Sequence, residues 1–214
     1  MKSIPLFLLA LALAAPGARA QQCVTRTIDF WFSNPANRAE GNSCATLLKA
    51  IDANGGVMDL GFMCLPTAER NGDSVTDSVD ALWEAEGFYW KYRNNTGDGK
   101  DASTLCRARK QLALQLIAAI ANVKLLGTDP ATCGFDPDLL TQARQAAACE
   151  DLIAIQHFQE ALDAFNNSGK NANLPEPLQE CRANPRGARA IAVDPTTRTI
   201  CDDTANCAAG AACP

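Results

Sequence analysis

The chain has 214 residues, 47% of them hydrophobic, and a formal net charge of −5. That length suffices for one medium-sized domain with a real core. The acidic balance repels phosphate backbones and anionic bilayers, and so argues against nucleic acid or a membrane surface as partner.

The first twenty residues predict the compartment. Lys2 precedes an apolar run from Ile4 to Ala15, followed by Pro16-Gly17 and the small-x-small triplet Ala18-Arg19-Ala20. This is the order of a secretory signal peptide cut near Ala20, and the run falls short of the ~20 residues that span a bilayer. Cys23 is the third residue after the cut rather than the first, so no lipid anchor is expected. Removing residues 1–20 takes Lys2 and Arg19 away and leaves 194 residues with 17 basic and 24 acidic side chains, a net −7. A secreted, periplasmic or cell-surface location follows. No later segment is apolar enough to span a membrane.

The ten cysteines are Cys23, Cys44, Cys64, Cys106, Cys133, Cys149, Cys181, Cys201, Cys207 and Cys213. An even number in an exported chain predicts five disulfides. No C-x-x-C pair occurs and His157 is the single histidine, so neither a zinc-type site nor a cofactor is expected.

In chain order, Val24 to Phe32 reads as an extended piece carrying Phe30, Trp31 and Phe32. Alternation places Phe30 and Phe32 on one face and Trp31 on the other. A short helix is predicted around Cys44 to Ala53 and a second extended piece over Val57 to Phe62. In "DSVTDSVDALWEAEG", Asp73 or Ser74 can cap a helix whose apolar face includes Val75, Val79, Leu82 and Trp83, with Gly87 interrupting it.

The loop "NNTGDGKD" resembles a calcium loop, with Asn94, Thr96 and Asp98 at alternate positions and Gly99 at the turn. Leu105 stands where the bidentate acid belongs, which favours an ordinary glycine-rich turn. A largely buried central helix follows over "TLCRARKQLALQLIAAIANVKLL", capped by Asp101 or Ser103, with Arg107, Gln111, Gln115 and Asn122 as its polar strip. Asp136 as cap and Pro137 at the first helical position open a pattern running to about Asn166. Its ~30 residues are long for one helix, so a break is expected near Ala148-Cys149-Glu150.

Cys106 and Cys149 lie ~12 Å out of step on antiparallel helices, which disfavours bonding them to each other. Residues 182–214 have too little apolar mass for a core and read as an irregular, low-complexity tail. Its cysteines, Cys201, Cys207 and Cys213, are odd in number, so at least one must bond outside it. Cys181 is the nearest body partner, with other body cysteines open. The domain plan is 1–20 signal peptide, 21–181 disulfide-stabilised, mainly α domain with short extended N-terminal segments, and 182–214 tail.

Three short segments resemble a group of uncharacterised secreted and surface-associated bacterial proteins. "TRTIDFWFSNP" at 25–35 is similar to their "TRTxGFWKTHP"-like opening, keeping Thr25, Arg26, Thr27, Phe30, Trp31 and Pro35. "LALQLIAAIANV" at 112–123 resembles a "LARQLIAAKLNV"-like helix, and "LDAFNNSG" at 162–169 an "LDAYNNG" ending. Asp29, Phe32 and Asn34 replace the group's Gly, Lys and His, so a ligand role resting on that Lys and His does not carry over. The resemblance implies an exported module and supplies no catalytic residues.

The chemistry legible in the sequence is sparse. His157 sits mid-helix with no nucleophile turn anywhere, which speaks against a histidine-dependent hydrolase. Glu84 and Glu86 stand among Trp83, Phe88, Tyr89, Trp90 and Tyr92, but residues two apart on a helix point in different directions, and they are expected at a solvated helix end. Trp31, Trp83, Tyr89 and Trp90 are the candidate ligand-contacting residues, with Trp31 or Trp90 the most exposed ring. The expected function is a non-enzymatic surface, matrix or partner-binding module for an extracellular protein or glycan. A carboxylate-dependent polysaccharide-cleaving enzyme is the alternative.

Overall fold

The computed structural model describes residues 22–34, 46–91 and 95–202, and the signal segment, Cys44, Cys207 and Cys213 lie outside them. The described chain is mainly helical: α1 (Ile28–Ser33), α2 (Thr46–Ala53), α3 (Ser78–Trp90), α4 (Thr104–Lys124), α5 (Leu139–Ala148), α6 (Leu152–Ser168), α7 (Pro185–Ile191) and α8 (Arg198–Asp202). One antiparallel two-stranded ladder, β1 (Met58–Asp59) with β2 (Cys64–Leu65), pairs Met58 with Leu65 and Asp59 with Cys64.

The core is organised on α4. Ser103 caps it by accepting from the Cys106 N–H (3.0 Å), and Leu112, Ala113, Leu116, Ile117 and Ile120 have no exposed surface. α4 packs against α1, α2, α3, α5, α6 and α8. Such wrapping requires apolar residues nearly all round the helix, as its sequence has. The four-residue polar strip, however, divides. Arg107 and Gln111 are exposed, whereas Gln115 and Asn122 are buried. Two cations outside the strip, Arg109 and Lys110, are buried as well.

The expected extended piece at 24–32 is helical from Ile28 onward. The Phe30 and Trp31 N–H groups donate to Thr27 O (3.1 and 3.4 Å), closing the first turn. Successive helical residues are offset by about 100°, so Trp31 and Phe32 can both turn inward, which a strand would forbid. Burial of two rings outweighs the extended preference of an aromatic run.

α3 starts later than expected. Asp77 is its cap, accepting from Val79 N and Asp80 N, while Asp80 Oδ2 accepts from the Asp77 N–H (3.0 Å) in a reciprocal box. Val75 is 60% exposed, outside the helix. Gly87 does not interrupt the helix: a Cβ there would collide with the Val193 carbonyl, so glycine permits the close passage of residues 193–194. The long pattern after the turn breaks near the expected place, α5 ending at Ala148 and α6 opening behind an Asp151 cap. Its start is shifted, since Asp136 Oδ1 accepts from Asp138 N (2.8 Å) in a turn and the helix begins at Leu139.

Within the expected irregular tail, residues 182–202 carry α7 and α8. Ala188, Ala192, Asp194, Thr196 and Cys201 are buried, and α7 and α8 pack on α3 and α4 respectively. Cys201 bonds to Cys106 (Cα–Cα 5.0 Å) and not to Cys181, and Cys23 bonds to Cys133 (5.1 Å). Cys64, Cys149 and Cys181 are disulfide-bonded too, and no described cysteine is free. No helix among the described residues is long and apolar enough to cross a membrane.

Candidate functional site

The four aromatic candidates part company in three dimensions. Trp31 is wholly buried, packed edge-on against Phe30 (5.1 Å), and its indole N–H has no partner. It is a core residue, which corrects the expectation of an exposed ring. Trp83, Tyr89 and Trp90 are half-buried on α3. The helix brings Tyr89 against α1, where Phe32 stacks on it (5.1 Å, 0°), Trp90 meets it edge-on (4.7 Å), and its hydroxyl donates to Asp29. The Trp90 indole N–H donates to Phe32 O (3.1 Å).

The acids flanking these rings do not reach solvent, contrary to their expected place at a solvated helix end. Glu84 has no exposed surface and accepts from Thr67 N (2.6 Å), Thr67 Oγ1 (2.6 Å) and Arg70 Nε (2.8 Å). It pins the residues after β2 to α3. Glu86 is wholly buried with both carboxylate oxygens unpaired, and burial pushes its carboxyl well above the usual range. His157 is exposed on α6 with its ring against Phe158 (5.1 Å).

Asn94 lies outside the described residues, and residues 95–101 of the calcium-like loop are organised by protein groups. Lys110 Nζ donates to Asn95 O (2.9 Å) and to Asp194 Oδ2 (2.9 Å), and Asp194 Oδ1 accepts from Thr196 N and Oγ1 (2.9 and 2.6 Å). Gly97 N donates to Thr196 O, and Asp98 accepts from Thr96 Oγ1, which with the Lys100 N–H holds its carboxyl below the usual range. The loop is thus bound to the 194–196 segment. Burial lowers the Lys110 pKa and the Asp194 contact opposes that shift.

The described part of the first motif segment, residues 25–34, meets 112–123 and 162–169 at a buried polar junction. The Asn122 side chain pairs with both backbone groups of Arg26, accepting from its N–H (2.7 Å) and donating to its carbonyl (2.9 Å), and donates also to Asn166 Oδ1 (2.9 Å). Asn166 donates to Gln115 O and Oε1 (3.0 and 2.8 Å), Gln115 Nε2 donates to Asp163 (2.9 Å), and the Gly169 N–H donates to Thr25 Oγ1 (2.8 Å). The Arg26 guanidinium donates to Thr25 O, Gly169 O and Ala172 O. These motif residues hold the N-terminal strap across α4 and α6.

One groove of about 240 Å³ opens where α1, α3, α4 and α6 converge, lined by Ile28, Phe88, Tyr89, Lys110, Gln111, Leu114, Gln115 and Gln159. Of the aromatic candidates it includes Tyr89. The sequence reading missed Gln159 and Ile28, because their juxtaposition depends on how α1 and α6 dock. Among the described residues no group of His, Cys, Asp or Glu side chains is arranged to hold a metal ion.

No family model matches the chain, no curated protein matches its sequence, and no solved structure matches its fold.

Proposed function

We propose that this chain is an exported, disulfide-stabilised binding module that holds a sugar unit of an extracellular glycan in the groove beside Tyr89. The observation that carries the reading is the groove's lining: the rings of Phe88 and Tyr89, aliphatic Ile28 and Leu114, and the amides of Gln111 and Gln159, with Gln115 and Lys110 at its wall already engaged by Asp163 and Asn166 and by Asp194 and Asn95 O respectively. A pyranose presents apolar C–H faces and a rim of hydroxyls, which such a mixture of ring and neutral amides complements. Phe32, Trp90 and Asp29 hold the Tyr89 ring in place before any ligand arrives, which lowers the ordering cost of binding. The resemblance of three segments to surface-associated bacterial proteins is in keeping with this role.

Cleavage by paired carboxylates draws less support, because Glu84 is engaged by Arg70 and Thr67, Glu86 is sealed in the core, and neither lines the groove. The test is a glycan array followed by calorimetry on the best neutral oligosaccharide. Tyr89→Ala and Gln111→Ala are each expected to weaken binding by about tenfold, about 1.4 kcal/mol. Gln111 is exposed, so its variant should melt with the parent. Unchanged affinity in both variants would remove the groove from the function.

A further inference from the structure

The stretch from Arg182 to Val193 contains three arginines and no acid, within a chain of net negative charge. Folding puts two of them on one face of α7. Arg186 and Arg189 are spaced i, i+3, are both exposed, and with Pro185 line an open depression of about 290 Å³. The Arg189 guanidinium lies over the Trp90 indole, 4.4 Å from the ring centroid. Neither arginine has a carboxylate within ion-pair distance among the described residues.

The shelf is rigidly mounted. Trp90 is anchored through its N–H to Phe32 O, Asn184 N donates to Ser33 O (2.5 Å), Asn184 Oδ1 accepts from Gly187 N (3.1 Å), and Ala188 is wholly buried against the body. Among the described residues neither the Arg186 nor the Arg189 guanidinium donates to a protein acceptor, so their N–H groups are available for bidentate pairing with a carboxylate.

We propose that this shelf recognises the carboxylates of an acidic polysaccharide, a polymer of uronic acid units. The charge of the two forks selects an anion, and the Pro185 ring in the same depression offers apolar surface to a sugar ring. The choice of a sugar polymer over an acidic peptide rests on the glycan reading of the Tyr89 groove, which α3 places one residue away from Trp90.

The test compares polygalacturonate, a neutral oligosaccharide and polyglutamate as probes of the intact secreted protein, at about 50 and 300 mM NaCl. Polygalacturonate should bind, and more weakly at the higher salt. Arg186→Gln, at an exposed side chain, should lower that affinity about fivefold without changing the melting temperature, and Arg189→Lys should do the same by removing the planar fork. Neutral-oligosaccharide binding should be unaffected by either. Polyglutamate bound as tightly as polygalacturonate would overturn the assignment, as would uronate binding that ignores both substitutions. Absence of uronate binding alongside retained neutral-sugar binding would overturn this inference and leave the groove intact. Loss of the neutral-sugar effect alone would sink the groove reading and leave the shelf.

Discussion

Trp31 and Glu86 show at the level of single residues how burial changes the meaning of a side chain. Trp31 fills the core beside Phe30, so Trp31→Ala should cost about 3–5 kcal/mol through the lost transfer energy and the cavity left behind. Chemical denaturation measures this, and a loss below about 1 kcal/mol would place the ring at the surface. Glu86 is a different case because its folded pKa is raised. The stability that goes with its neutral form is fully present below the unfolded value of about 4.3 and is lost as pH rises towards the folded value. Glu86→Gln has no such proton to lose. Its stability should therefore gain on the parent's by about 1.4 kcal/mol per pH unit above pH ~4.5, until the folded pKa is reached. Parallel pH series of urea melts test this, and a constant offset between the two proteins would show that Glu86 is not held neutral.

Helices α4 and α6 and the N-terminal strap are joined by polar groups as well as by apolar faces. Asn122 is the hub, since it meets both backbone groups of Arg26 and the Asn166 side chain. Asn122→Ala leaves buried partners unpaired and should cost at least about 2 kcal/mol, whereas Arg107→Ala on the exposed side of the same helix should stay within about 0.5 kcal/mol. Equal, small effects in urea melts would show that water replaces the Asn122 contacts. The sequence pattern identified α4 and narrowed its cap to Asp101 or Ser103, of which Ser103 serves, because an amphipathic repeat and a local cap are short-range signals. It misjudged Gln115 and Asn122, since polarity in sequence does not reveal whether a buried partner awaits. It likewise could not distinguish a glycine that ends a helix from Gly87, whose missing Cβ admits a neighbouring chain.

Disulfide and side-chain contacts extend the molecule beyond the helices that periodicity could find. Arg109, wholly buried, donates to Ala147 O (2.7 Å), Ala148 O (2.9 Å) and Cys149 O (3.3 Å) at the end of α5, and to Cys201 O (2.6 Å) on α8. One turn earlier on α4, Cys106 bonds to Cys201, and Ser103 donates to Asp202. A link across a sequence separation of 95 stabilises by about 4–5 kcal/mol in the chain-entropy account. Trypsin under non-reducing conditions should release Thr199–Pro214 joined to Asp101–Arg107, the peptide containing Cys106. Finding it joined instead to Asn171–Arg182 alone would refute the observed pairing. Composition, helical period, capping residues and cysteine number by themselves determined a mainly α chain with its central helix, the α5–α6 break and a set of disulfides, because each of these is encoded in near neighbours or in counts. The tertiary structure alone decided which cysteines meet, that Trp31 is inside, that Arg109 and Lys110 are buried, and that Tyr89 faces a groove. Those outcomes depend on contacts between residues far apart in the chain, where the free energy of burial and the pairing of polar groups are set by the partner and not by the residue.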